Sequence, residues 1–124
     1  MTTVLDASAL LAWLQEEPGA EVVRNLLTDG IVTAANWSEV LQKAQQHGRD
    51  ANEVAILLQA LGLKVADVTK EDGEEAARLW SRAQHFSLAD RLCLAAAKRF
   101  GLAAITAESE WKLFEDDIEI ELIP

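Results

Sequence analysis

Short apolar runs alternate along this chain with longer segments in which apolar residues recur at helical spacing. The runs, which we expect to form strands, cover residues 2–5, 31–33, 63–68, 103–106 and 118–122. Helices are predicted between successive runs, because apolar side chains three or four positions apart share one helix face. Strands that alternate with helices are typical of βαβ units and a parallel sheet. The sequence therefore predicts a single α/β domain over residues 1–124, with a central parallel sheet of about five strands flanked by helices.

Local signals support these boundaries. Gly48 follows one predicted helix, where a glycine cap is expected. Asp50 opens the next helix and Glu53 follows three residues later, as in a capping box. The last apolar run alternates apolar residues with glutamate from residue 118 to residue 122. Because such alternation leaves one face of a strand exposed, we expect this strand at an edge of the sheet.

Four carboxylates occupy positions that this fold would bring to one edge of the sheet. Two follow the first and fourth runs, and two lie near the start of helices: Asp6, Glu108, Glu39 and Asp90. In parallel α/β sheets, ligands bind beyond the carboxyl ends of the strands. Since like charges brought together disfavour ionisation, a divalent cation is the usual reason for such a group. Hard oxygen ligands suit Mg²⁺ or Mn²⁺, so the sequence predicts an acidic metal site.

Each of these acids also has a purely structural interpretation. Asp6 lies between a strand and a helix and could cap that helix. Glu39 precedes Lys43 by four residues, the favoured orientation for a helical ion pair. Asp90 fits a capping box with the serine three residues before it, and Glu108 suits the first turn of a short helix. Metal binding and helix capping therefore both remain open for this group.

The net charge of −10 is unfavourable for binding nucleic acid, because phosphate backbones usually meet a positive surface. If the substrate is nucleic acid, a metal must neutralise the acidic site, and a basic patch or a second subunit must supply the rest. Five basic residues of the second half of the chain could form such a patch or could be solvated helix faces: Arg78, Arg82, Arg91, Lys98 and Arg99.

No apolar stretch reaches the roughly 18 residues that a membrane span needs. The first strand begins almost at Met1, with no charged segment followed by an apolar one, so we expect no secretory signal. The single cysteine, Cys93, cannot form an internal disulfide and is expected to be a small buried side chain. We therefore expect a cytoplasmic protein that does not contact membranes.

Other chemistries find little support in this sequence. A glycine-rich phosphate loop and a Cys/His cluster are both absent, and the two histidines lack metal-ligand spacing. The four tryptophans occupy apolar helical positions, where packing in the core is expected: Trp13, Trp37, Trp80 and Trp111.

Four stretches together carry a resemblance to a known family. They are VLDASALLA at 4–12, NWSEV at 36–40, SLADRLCLA at 87–95 and ITAESEW at 105–111. In length, order and spacing the chain resembles the PIN-domain family over essentially its whole length, and within it the VapC-type toxins of bacterial toxin–antitoxin pairs.

The resemblance implies a PIN-like fold and a Mg²⁺- or Mn²⁺-dependent ribonuclease. Such an enzyme would hydrolyse phosphodiester bonds of an RNA substrate as an endonuclease. It also implies a homodimer and a cognate antitoxin protein that blocks the site. Two alternatives remain: a catalytically impaired PIN-like binding module, and a structural α/β domain whose acids only cap helices.

The resemblance also assigns roles to residues. The catalytic acids would be Asp6, Glu39, Asp90 and Glu108, of which Asp6, Asp90 and Glu108 would hold the metal. Hydroxyls and one further acid would position substrate or ligands: Ser8, Thr106 and Glu110. The sequence departs from the family at positions 108 and 110, where aspartate is typical and this chain has glutamate.

Overall fold

The structure is a computed structural model that describes residues 2–124, and one five-stranded sheet lies at its centre. The strands are β1 (Val4–Leu5), β2 (Ile31–Thr33), β3 (Lys64–Ala66), β4 (Ala104–Thr106) and β5 (Ile120–Leu122). Their order is β3-β2-β1-β4-β5, and every neighbouring pair is parallel. The predicted parallel α/β sheet is therefore confirmed, with β5 at an edge as the alternating pattern indicated.

Helices connect the strands. They are α1 (Ala7–Leu14), α2 (Ala20–Leu26), α3 (Ala34–Gln46), α4 (Ala51–Ala60), α5 (Lys70–Leu79) and α6 (Leu88–Phe100). Two short 3₁₀ helices follow α5 and β4, at Trp80–Arg82 and Ser109–Phe114. None of the helices between residues 2 and 124 is long and apolar enough to cross a membrane.

One tryptophan departs from the predicted core packing. The sequence places Trp80 at an apolar helical position, whereas α5 ends at Leu79 and a 3₁₀ turn begins at Trp80. Because the turn changes the direction of the following side chains, Trp80 is half exposed. Trp111 is fully buried, and Trp13 and Trp37 are partly buried against the core.

The core lies in two layers, one on each face of the sheet. Alternate residues of a strand point to opposite faces, so Leu5 and Ile105 pack with the helices α1 to α4 on one face. On the other face, Val4 packs with Leu94 of α6 and with the second 3₁₀ helix. Cys93 lies in this second layer as a buried free thiol, as expected from its apolar neighbours.

The chain changes direction between β1 and β4. From β1 it builds outward through β2 to β3, and then crosses back so that β4 pairs with β1 on its other side. In the register of this pair, Leu5 lies opposite Ile105. The residues that follow, Asp6 and Thr106, therefore lie side by side where ligands bind in sheets of this kind.

Replacing Leu94 tests the packing of α6 against the sheet. Leu94 is fully buried, so Leu94→Ala should lower the free energy of unfolding by about 2–5 kcal/mol in urea denaturation. Ile56 is 69% exposed, and Ile56→Ala should change stability by less than about 0.5 kcal/mol. Similar losses for the two variants would contradict the assignment of Leu94 to the core.

Candidate active site

Asp6 is the most deeply buried carboxylate of the candidate site. It is 2% exposed and forms the N-cap of α1, where the backbone N–H of Ala9 donates to Oδ1 at 2.8 Å. The hydroxyl of Thr106 donates to Oδ2 at 2.6 Å, and the hydroxyl of Ser8 donates to Oδ1 at 2.8 Å. The helix-cap interpretation of Asp6 is therefore correct, but capping uses only part of its hydrogen-bonding capacity.

The two hydroxyls beside Asp6 are oriented by the backbone that follows β4. The Oγ of Ser8 accepts from the N–H of Ala107 at 2.9 Å, and the Oγ1 of Thr106 accepts from the N–H of Glu108 at 3.1 Å. Each hydroxyl carries one proton. With the backbone N–H groups as their donors, both hydroxyls are free to direct that proton at the Asp6 carboxylate.

Asp90 lies at the third position of α6 and is half-buried. The N–H of Ser87 donates to its Oδ2 at 3.2 Å, and the Oγ of Ser87 accepts from the N–H of Asp90 at 3.0 Å. This is a complete capping box, as the sequence indicated. Since only Oδ2 takes part, the box fixes the carboxylate at the head of the helix and leaves its other oxygen available.

Glu39 is held by a neighbour on its own helix. The amide Nδ2 of Asn36 donates to its Oε1 at 3.0 Å, and Asn36 is fully buried. No ion pair joins Glu39 to Lys43 in the described part of the chain; burial raises the pKa of Glu39, and the charge of Lys43 offsets only part of that rise. The predicted i, i+4 ion pair is therefore not formed, because the carboxylate is bound to Asn36.

Glu108 and Glu110 flank the start of the second 3₁₀ helix. Glu108 precedes it and is half-buried, and the indole N–H of Trp111 donates to its Oε2 at 2.9 Å. Glu110 is exposed, yet its negative charge adds to the burial that raises the pKa of both Asp90 and Glu108. Glu110 therefore lies at the rim of the acidic group.

The four acids are electrostatically coupled. Burial raises the pKa of Asp6 to about 7, and the charge of Glu108 adds to the effect. Burial raises the pKa of Glu108, and the charges of Asp90 and Glu39 raise it further. Burial likewise raises the pKa of Glu39, to which the charge of Asp90 contributes. Each of the four acids therefore takes part in at least one charge interaction with another of the four, as members of one group do.

The donor chemistry of this group fits Mg²⁺ or Mn²⁺. All four acids supply hard oxygen atoms, and a divalent cation would offset the burial and repulsion that raise their pKa values. In residues 2–124, however, no three His, Cys, Asp or Glu side chains already lie close enough together to hold an ion. Binding an ion therefore requires the carboxylates to lie closer together than they do in this structure.

The basic residues that the sequence suggested as a patch are engaged within the chain. Each has an acidic or carbonyl partner: Arg78 and Lys98 with Glu75, Arg82 with Asp116, Arg91 with the carbonyl of Ala76, and Arg99 with Asp72. The interpretation as solvated, paired helix faces therefore describes them better than an open basic surface does.

The family model for the PIN domain matches residues 3–116. The chain belongs to the PIN-domain family. A comparison with curated proteins finds no match. Asp6 and Asp90 stand in two of the four stretches that carried the resemblance, Asp6 directly after β1 and Asp90 in the first turn of α6.

Known structures share this fold at low sequence identity. A toxin–antitoxin complex from Klebsiella pneumoniae has a TM-score of 0.75 and 17% identity, with 96% of this chain and 95% of that chain covered. VapBC2 from Rickettsia felis, bound to a DNA fragment from its promoter, has a TM-score of 0.75 and 13% identity over 100% of both chains. VapC20 from Mycobacterium tuberculosis, a toxin that cleaves the sarcin–ricin loop, has a TM-score of 0.75 and 15% identity over 100% of both chains.

Two residues of the site cannot be identified from the sequence alone. No local signal distinguishes Asn36, and the apolar pattern predicts only core packing for Trp111. Each lies three positions from the glutamate that it binds, a separation at which helical side chains meet. That spacing was visible, but amide and indole groups at i, i±3 are too common for it to predict a site. The Oδ1 of Asn36 is buried without a hydrogen-bond partner in residues 2–124.

The pH dependence of stability tests the burial of Asp6. Its pKa of about 7 in the folded chain exceeds the ordinary value of 3.8. The folded state therefore binds the proton more tightly, and stability falls as pH rises between these two values. Asn also caps helices and does not titrate. In chelator, wild type should lose stability relative to Asp6→Asn between pH 4 and pH 7, by up to roughly 4 kcal/mol.

Asp50 provides a matched control for this measurement. It caps α4 as Asp6 caps α1, but it is exposed. Asp50→Asn should therefore follow wild type across the pH range in denaturant unfolding. Parallel profiles for wild type and Asp6→Asn would show that Asp6 is not buried as an isolated charge.

Proposed function

We propose that this PIN domain is a Mg²⁺- or Mn²⁺-dependent ribonuclease that hydrolyses RNA phosphodiester bonds at its acidic group. The observation that carries the proposal is a group of four partly or fully buried carboxylates whose charges act on one another, with Asp6 held beside Thr106 at the ends of β1 and β4. A structural domain has no need to bury so many like charges together, because their repulsion destabilises the fold. A function that uses the charges explains why they are there.

In this proposal Asp6, Asp90 and Glu108 hold the metal. A bound divalent ion lowers the pKa of a water ligand and stabilises charge on a phosphate and its leaving oxygen. Glu39 acts as the base that receives a proton from the attacking water. Its raised pKa suits that role, since a general base works best when its pKa approaches the working pH.

Three further residues support this arrangement. Ser8 and Thr106 orient the Asp6 carboxylate, because both hydroxyls donate to it. Glu110 lies exposed at the rim, where it could bind through water to a metal or keep other anions away. These three therefore position ligand and substrate without taking part in bond breaking.

The charge of the chain makes the metal essential for binding RNA. With a net charge of −10 and the five candidate basic residues paired, these five offer no open basic patch to meet a phosphate backbone. In this proposal the metal supplies attraction at the scissile phosphate, and a second copy of the chain in a homodimer extends the RNA-binding surface.

The proposal includes a toxin–antitoxin role. The structures from Klebsiella pneumoniae and Rickettsia felis pair such a fold with an antitoxin. Helix α4 exposes two adjacent large apolar side chains, Ile56 at 69% and Leu57 at 42%, and apolar side chains exposed side by side are typical of protein-binding surfaces. We therefore propose a bacterial type II toxin that acts on cytoplasmic RNA until its antitoxin blocks the site.

A PIN-like binding module is the second candidate, and one observation favours it. No three acids between residues 2 and 124 are already arranged to hold an ion. A module of this kind would keep the partner surface and lack cleavage. A cleavage assay separates the two candidates.

Single-stranded RNA should be cut in Mg²⁺ or Mn²⁺ and left intact in chelator. Asp90→Asn should lower the cleavage rate on the order of 100-fold or more, the scale on which a lost catalytic group acts. The variant should fold, because the Asn side-chain oxygen can still accept from the N–H of Ser87. Denaturing gel analysis of end-labelled RNA measures both effects.

Asp50→Asn makes the same chemical change outside the site and should leave the rate unchanged. Equal rates for Asp90→Asn and wild type would reject the assignment of the acid. Intact RNA with either metal, on several RNA substrates, would favour the binding module.

A further inference from the structure

The side chain of Trp111 connects the acidic group to the core. Its ring is fully buried, and its indole N–H donates to the Oε2 of Glu108 at 2.9 Å. No other hydrogen bond to the Glu108 carboxylate is formed by residues 2–124. One oxygen of this carboxylate is therefore held by the indole, and the other remains available.

The position of the indole is itself fixed. The ring of Phe86 lies 6.0 Å from that of Trp111 and 5.7 Å from that of Phe114, and all three rings belong to the same buried cluster. The backbone N–H of Trp111 also donates to the carbonyl of Glu108 at 3.2 Å. Because the ring is packed on several sides, its N–H is a rigid donor and not an adjustable one.

A rigid donor matters for a glutamate in this position. Glutamate has one more rotatable bond than aspartate, so the side chain of Glu108 would sample several conformations if nothing held it. Repulsion by the negative charges around it would favour conformations that point away from the acidic group. Those charges include Asp90, Glu110 and Glu39, each of which raises the pKa of Glu108. A hydrogen bond to the ionised carboxylate stabilises it in place against this repulsion.

We propose that Trp111 is a positioning residue that holds the carboxylate of Glu108 against the acidic group, in one conformation in which its second oxygen can meet a divalent cation. This role rests on the proposed metal-dependent function. It goes beyond packing, because a phenylalanine would fill much of the same space and supply no donor. The two roles of the ring can therefore be separated by one substitution.

A double-mutant cycle on Mn²⁺ binding isolates the donor from the packing. The four proteins are wild type, Trp111→Phe, Glu108→Ala and the double variant, each titrated with Mn²⁺ by calorimetry. Trp111→Phe should weaken Mn²⁺ binding about tenfold, the lower end of the loss expected for a residue that orients a metal ligand. In the Glu108→Ala background the same change should have no further effect, because nothing is left to orient.

Trp13→Phe is the matched control. It also removes an indole from the partly buried face of a helix, but Trp13 has no hydrogen bond to any of the four acids. Its Mn²⁺ affinity should equal that of wild type. A loss of affinity in Trp13→Phe would show that shrinking any indole disturbs the site.

A second measurement needs neither metal nor activity. In chelator, one indole ¹⁵N–¹H resonance should be absent in Trp111→Phe, which assigns it to Trp111. That resonance should shift and exchange faster with solvent in Glu108→Ala, whereas the resonances of Trp13, Trp37 and Trp80 should stay in place. This readout uses Glu108→Ala, so it remains available even if Trp111→Phe folds poorly.

The outcomes distinguish this inference from the ribonuclease proposal. Any of three results would overturn the positioning role. They are an unchanged Mn²⁺ affinity in Trp111→Phe, an equal loss of affinity with and without Glu108, and a Trp111 indole resonance that does not shift in Glu108→Ala. If wild type binds Mn²⁺ with the expected coupling but leaves RNA intact, the positioning role stands and the ribonuclease does not. If wild type binds no Mn²⁺, both are overturned.

Discussion

The parallel pairing of β1 with β4 is the constraint on which the candidate site depends. It places Asp6 beside Thr106, although 100 positions separate them in the chain, and the 2.6 Å hydrogen bond between their side chains joins the two strand ends. The backbone that follows β4 orients both hydroxyls that bind Asp6. If this pair of strands were in another register, Asp6 would remain a helix cap but would lose its connection to Glu108.

Burying these acids near one another lowers the stability of the metal-free folded state. Burial comes first among the causes that raise the pKa of Asp6, Glu39, Asp90 and Glu108, and like charges add to it. Neutral donors offset part of that cost: hydroxyls at Asp6, the Asn36 amide at Glu39 and the Trp111 indole at Glu108. A cation would offset more, by mass action on the folded state alone. If the acids do bind a cation, stability and function are opposed in the metal-free chain and aligned in the metal-bound one, as at many functional sites.

Much of the fold could be predicted because apolar periodicity reports directly on which face of an element is buried. The same pattern placed Asp6 and Asp90 at element boundaries on one edge of the sheet. It could not predict the partners of Glu39 and Glu108, since Asn36 and Trp111 occupy positions that are ordinary for a helix residue and a core residue. It misplaced Trp80, because an apolar residue beyond the last turn of a helix follows the same spacing as one inside it. The pairing of the basic residues depends on contacts between distant segments, such as Arg99 with Asp72, which local sequence does not encode.

The central claim is that these separate carboxylates form one cation site. Anomalous diffraction from crystals grown with Mn²⁺ tests it directly, because Mn²⁺ is located independently of any assumption about its ligands. We predict an anomalous peak from an ion that lies roughly 2.0–2.6 Å from oxygens of Asp6 and Asp90, the distance typical of such ions, with the Glu108 carboxylate turned toward it while still bound to the Trp111 indole. A peak elsewhere on the surface, or none at saturating Mn²⁺, would contradict it.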